Sequence, residues 1–156
     1  MLGDWGFPAD VRSTRALRMH IVEPLIPHNA WLSGPAALWV HGHAPAPNVL
    51  DLISHKGAHR ILAKPGSPPL RLHAGNVMGV PDAGSPPVVS VARACVDALW
   101  HSPGAQALPA TASALRSRAT TEAELLELLS RFDNRTPGRR RVCELVAALA
   151  GALAAT

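Results

Sequence analysis

Residues 85–100, SPPVVSVARACVDALW, decide the fold of this chain, because they predict a short buried strand running directly into a capped helix. Pro86 and Pro87 hold the entry extended, and Val88, Val89 and Val91 are β-branched residues suited to a pleated, half-buried surface. Ser90 is placed to accept a hydrogen bond from the free N–H groups that open the helix. The apolar face of that helix is Val91, Ala94, Cys95, Ala98 and Leu99. Arg93 and Asp97 stand one turn apart beside it, an ion pair worth roughly a few tenths of a kcal/mol if exposed and a tie to neighbouring loops if buried.

Upstream, residues 30–42, AWLSGPAALWVHG, repeat this logic in miniature. Trp31 and Leu32 are extended, Ser33 caps, Pro35 occupies the first turn where its missing N–H is not needed, and a helix over 35–40 closes at Gly42. A first helix starts from Ser13 or Thr14 and carries Ala16, Leu17, Met19, Ile21 and Val22 on its stripe, with Pro24 and Pro27 ending it. Residues 1–12 form an arm in which Trp5 and Phe7 need something to pack on. Residues 48–54 predict a strand with Leu50, Leu52 and Ser54 on one face, followed by a turn over 55–60 and short strands at 61–63, 70–73 and 76–80.

Downstream, a helix is expected over 109–118. Thr120 or Thr121 caps the next one, with Glu124 completing a capping box and Leu125, Leu128, Leu129 and Phe132 forming its stripe. A last helix carries Val142, Leu145, Val146, Leu149 and Leu153. Strands in the middle and helices at both ends predict an α+β fold, a small mixed β-sheet packed by N-terminal and C-terminal helices. The expected organisation is a single domain over 1–156, with the arm, a helix-plus-sheet core over 13–100, and C-terminal helices over 101–156.

Composition agrees with one folded unit. Apolar residues make up 47% of the 156, with two Phe and no Tyr, so the core must be built from Ala, Leu and Val with four Trp adding volume. Fifteen Pro and twelve Gly separate apolar segments, as turn punctuation does. The charge of +4 comes from thirteen Arg and two Lys, too small an excess to imply nucleic-acid binding unless it is clustered. Cys95 and Cys143 both fall on predicted apolar faces, where a free thiol acts as a small hydrophobe. No stretch approaches the roughly twenty apolar residues that span a bilayer, and the N-terminus lacks a signal-peptide pattern, so no membrane contact and a cytoplasmic location are expected.

Several side chains suggest chemistry, each with a plainer alternative. His41 with His43, and His55 with His59, have metal-like spacing but lack the third and fourth ligands that zinc needs. Asp51, Asp82 and Asp97 can in principle hold divalent metal for a nuclease or nucleotidyltransferase. Alternatively, Asp51 faces solvent from its strand and Asp82 serves its turn. Ser33 and Ser90 stand at strand-to-helix turns without the G-x-S-x-G of a nucleophile elbow, and capping accounts for both. Arg139, Arg140 and Arg141 open the last helix, where its dipole disfavours cations; with Arg135 they form a candidate phosphate or DNA contact. Their alternative is pairing with Glu144 or with Glu122, Glu124 and Glu127.

Four segments in order, WLSGPAALWVHG, PLRLHAGNV, VVSVARACVDAL and TEAELLELLSRFDNRTPGRRRVCELVAAL, resemble the effector-type domain of the AbiEi-like antitoxin and transcriptional-regulator family of actinobacteria. The resemblance runs from about residue 12 to 150 and rests on Ser33, Ala37, His41, Gly42, Arg71, His73, Ser90, Ala92, Arg93 and Asp97 as structural motif positions. It implies a non-enzymatic domain that binds a protein partner, a toxin or regulator, or a second copy of itself, with weak DNA contact and no cofactor. The winged-helix domain that opens such proteins, and the endonuclease-like domain of many relatives, have no counterpart in these residues. A stand-alone regulatory or partner-binding domain is therefore expected, with Arg135 and Arg139 to Arg141 as its DNA contact.

Overall fold

A computed structural model describes residues 13–55, 68–75, 80–81 and 85–155. The expected arm at 1–12, most of the turn at 55–60, the strand at 61–63 and nearly all of that at 76–80 lie outside the described residues, as do His59 and Asp82.

Helix α1 (Arg15–Val22) is capped by Thr14, whose hydroxyl accepts from the N–H of Leu17. Met19 and Val22 are buried, whereas Ala16, expected on the inner stripe, is exposed. A 3₁₀ turn, Glu23–Leu25, leads to β1 (Ala30–Leu32), and α2 (Gly34–His41) follows at once. Every residue of α2 from Gly34 to Val40 is buried, which suits a segment apolar on all sides. Gly42 closes it at φ 95°, the left-handed conformation expected of a C-terminal glycine.

The sheet is mixed, in the order β1-β2-β3, with β2 (Leu50–Ser54) antiparallel to β1 and parallel to β3 (Leu70–Ala74). All five residues of β2 are buried, so the expected division into an inner and an outer face does not hold. A middle strand covered on both faces has no solvent side. The strand expected at 88–91 reduces to a single parallel bridge between Val88 and Leu32. Pro86 and Pro87 lack the N–H groups that would extend the ladder.

Helix α3 (Val91–His101) is the hub, touching α2, α4 (Gly104–Arg116), α5 (Glu122–Ser130) and α6 (Arg139–Ala154). The Ser90 hydroxyl caps it, accepting from the N–H of Arg93 at 3.2 Å. Helix α4 begins five residues before the expected start, with Pro109 inside it. Ala107 and Ala110 are buried on either side of that proline, and their packing holds the preceding turn helical despite the missing hydrogen bond. Thr121 and Glu124 form the expected capping box of α5, and Leu125 and Leu129 reach the core with Val142 and Val146 of α6. The fold is α+β, a three-stranded sheet in mid-chain flanked by six helices among the described residues.

Candidate functional site

The polar chemistry of the molecule gathers where the sheet meets α3. Asp51 sits on the buried strand β2, and the parallel register places Arg71 of β3 opposite it with His73 two residues further on the same face. The Asp51 Oδ1 lies 3.1 Å from Nε2 of His73 and 3.4 Å from a terminal nitrogen of Arg71. Asp51 is therefore not the solvent-facing strand residue its surroundings in sequence suggest, being only 5% exposed. Burial of a carboxylate on a middle strand is tolerated because two cross-strand donors supply the partners that water would.

A second group lies beside it. Asp97 is held by Arg93, whose Nε stands 2.9 and 2.8 Å from its two oxygens, and the pair is buried. The Ser33 hydroxyl donates to Asp97 Oδ2. Ser33 occupies the position before α2 yet makes no capping bond, which corrects the expectation for this serine. A hydroxyl donating to a buried carboxylate forms a stronger, charge-assisted bond than one accepting from a neutral N–H. Gly34 packs between the two groups at φ 52°; a Cβ on it would meet Asp51 Cβ at 3.6 Å and the Ala98 backbone nitrogen at 3.8 Å, ordinary contacts, so the left-handed backbone is what calls for glycine.

Aromatic rings cover this layer. The rings of His73 and His101 stack with centroids 4.2 Å apart, joining β3 to the last residue of α3. Burial, and then the neighbouring His73, lower the pKa of His101, while Asp97 and Asp51 oppose the shift, so His101 senses both carboxylates. Phe132 lies 5.4 Å from the guanidinium carbon of Arg93 and packs on Trp100, whose Nε1 donates to Pro137 O at 3.0 Å. These groups border a recess of about 450 Å³ that includes His73, Arg93, Asp97 and His101. A second recess of about 430 Å³ opens on the other side of Asp51 and Arg71, between residues 43–49 and the start of α4. Trp100, Phe132 and His101 were missed in the sequence as parts of a site; their i,i+4-type proximity to Arg93 and Asp97 on α3 was the available signal for Trp100 and His101 alone.

The remaining candidates are placed elsewhere. His41 Nε2 lies 2.8 Å from Val89 O, tying α2 to the segment entering α3, and burial lowers its pKa. His55 packs edge-on against Trp31. No group of three or more His, Cys, Asp or Glu side chains able to hold a metal occurs among the described residues. Arg139 donates to Leu129 O and Asn134 Oδ1, and Arg141 to Leu99 O and Trp100 O. Both guanidinium groups thus serve the carboxyl ends of α5 and α3, where a cation is favoured, although their backbone opens α6. Arg18 does the same for α2 through Trp39 O at 2.6 Å. Arg140 pairs with Glu144, the plainer of the two roles open to it, and its side chain is 93% exposed.

The layer works chemically as paired charges. The Ser33 hydroxyl donates to the Asp97 carboxylate, which Arg93 grips from its Nε. Asp51 and Asp97 each have a cationic partner within hydrogen-bonding reach. Comparison of the sequence with models of known protein families and with curated proteins finds no match.

Proposed function

We propose that this chain is a non-enzymatic domain of the AbiEi-like antitoxin or transcriptional-regulator type. It acts in the cytoplasm by binding a protein partner, a toxin or regulator, or a second copy of itself, with weak DNA contact. One observation supports this reading above others: Ser33 and Arg93 bond to Asp97, and Arg71 and His73 to Asp51, in two neighbouring groups whose carboxylates are buried, as struts do. All but Asp51 come from three of the four segments on which the resemblance rests, and Phe132, from the fourth, covers Arg93. Residues far apart in sequence that converge on one polar layer are what a shared structural motif requires.

The DNA contact falls to Arg135 and Arg140: Arg139 and Arg141 are engaged by helix ends, whereas the Arg140 side chain, though paired with Glu144, is 93% exposed. In a gel-shift assay, alanine at Arg135 and Arg140 should lower affinity and reduce the salt slope by about 0.9 for each phosphate no longer neutralised. Co-purification with the products of neighbouring reading frames tests the partner; a nucleotidyltransferase toxin bound and inhibited by the chain is the expected result. Saturable heat on calorimetric titration with magnesium, manganese or zinc, together with a nuclease or nucleotidyl-transfer activity that Asp51→Asn and Asp97→Asn abolish, would overturn the reading in favour of a metal-dependent enzyme.

A further inference from the structure

The recess between residues 43–49 and α4 is walled by prolines, Pro35, Pro45, Pro47, Pro103 and Pro109, and floored by Asp51 and Arg71. Its volume of about 430 Å³ falls within the range of small-molecule sites. Both hydrogen bonds to the Asp51 carboxylate are made at Oδ1; among the described residues Oδ2 accepts none. Oδ2 is therefore open to a donor entering the recess that Asp51 lines. Arg71 reaches Asp51 through one nitrogen at 3.4 Å and is 47% exposed, so most of its donor fork is free for an incoming acceptor. His43 is the other titratable group in the lining, and burial lowers its pKa, leaving it uncharged at neutral pH.

We infer that this groove binds a small zwitterion with an apolar side chain, an apolar α-amino acid, its ammonium on Asp51 and its carboxylate on Arg71. A ligand with a single charge is disfavoured, because an amine meets the Arg71 charge and a carboxylate meets that of Asp51. The zwitterion satisfies both, since its two charges are separated by one carbon and the floor groups stand side by side. The proline and alanine walls, rigid and without donors, receive the side chain and lose no conformational freedom on binding. Asn48 and Gln106 flank the opening as neutral polar groups.

The test is a titration of the isotope-labelled full chain, followed by heteronuclear NMR, with L-leucine and L-phenylalanine. Saturable shifts at Ala44, Asn48 and Gln106 are expected, and the N-acetyl and the amide derivatives should each bind about tenfold more weakly for the missing charge. Asp51→Asn and Arg71→Gln should weaken binding to a similar degree. Gln106→Trp, an exposed position that leaves the ion pair intact, should block the groove without altering the rest of the spectrum. Absence of saturable shifts, or binding of the acetylated and amidated compounds as tight as that of the free amino acids, overturns the inference.

Discussion

Replacing Asp97 with alanine strips the Arg93 guanidinium of its carboxylate in a place where the Arg93 side chain is 3% exposed. Breaking a buried ion pair from one side costs roughly 3–5 kcal/mol, because the remaining charge is left desolvated. The Ser33 hydroxyl loses its acceptor as well, adding about 1 kcal/mol. Against a total stability of roughly 5–15 kcal/mol for an ordinary domain, the loss is a large fraction. With a urea slope of about 2 kcal/mol per molar, the unfolding midpoint followed by circular dichroism should fall by about 2–3 M. Arg93→Met combined with Asp97→Leu removes both charges and should recover most of that loss, since well-packed apolar residues replace buried pairs at little net cost. A fall of less than about 0.5 M for Asp97→Ala, or a double variant as weak as the single, would refute the assignment of the pair as a buried strut.

Burial lowers the pKa of His41, His43 and His101 from the ordinary 6.5, so in the window below 6.5 the unfolded chain binds more protons than the folded one. Their contribution to stability is complete above pH 6.5 and is lost as the pH falls below it; a Tm that stays level or rises from pH 7.5 to 5.5 contradicts this. Burial pushes the Cys95 thiol up to about 12, while Cys143 is half-buried, so Ellman's reagent should label Cys143 in the native protein and reach Cys95 only on unfolding. Gly138 has φ 82° and a Cβ there would stand 3.0 Å from Trp100 Nε1. Gly138→Ala should therefore cost about 2–3 kcal/mol through left-handed strain and loss of the Trp100 bond to Pro137. Gly151→Ala, in α6 with open space around it, should be neutral or stabilising by up to about 1 kcal/mol, and thermal melts of the two variants separate the effects.

What was legible in the sequence obeys short-range rules. The Ser90 and Thr121 caps, the glutamate completing the capping box, the Gly42 terminus and the Leu125 and Leu129 stripe depend on residues within one or two turns. The α+β class followed from where such segments fall along the chain. Local rules also had limits: the proline expected to open a helix at 109 lies inside α4, because buried alanines on both sides outweigh one missing hydrogen bond.

By itself the sequence determined the order of the helices and of the strands at 30–32, 50–54 and 70–74, the alanine, leucine and valine core, and the pairing of Arg93 with Asp97 on one helix. Only the tertiary structure decided that Ser33 serves Asp97 and not its own helix, that Asp51 is buried, and that Arg139 and Arg141 serve the ends of α5 and α3. The physical reason is the same in each case. A polar side chain takes the strongest partner within reach, and the partners of Ser33, Asp51, Arg139 and Arg141 lie 64, 20 to 22, 5 to 10 and 41 to 42 residues away.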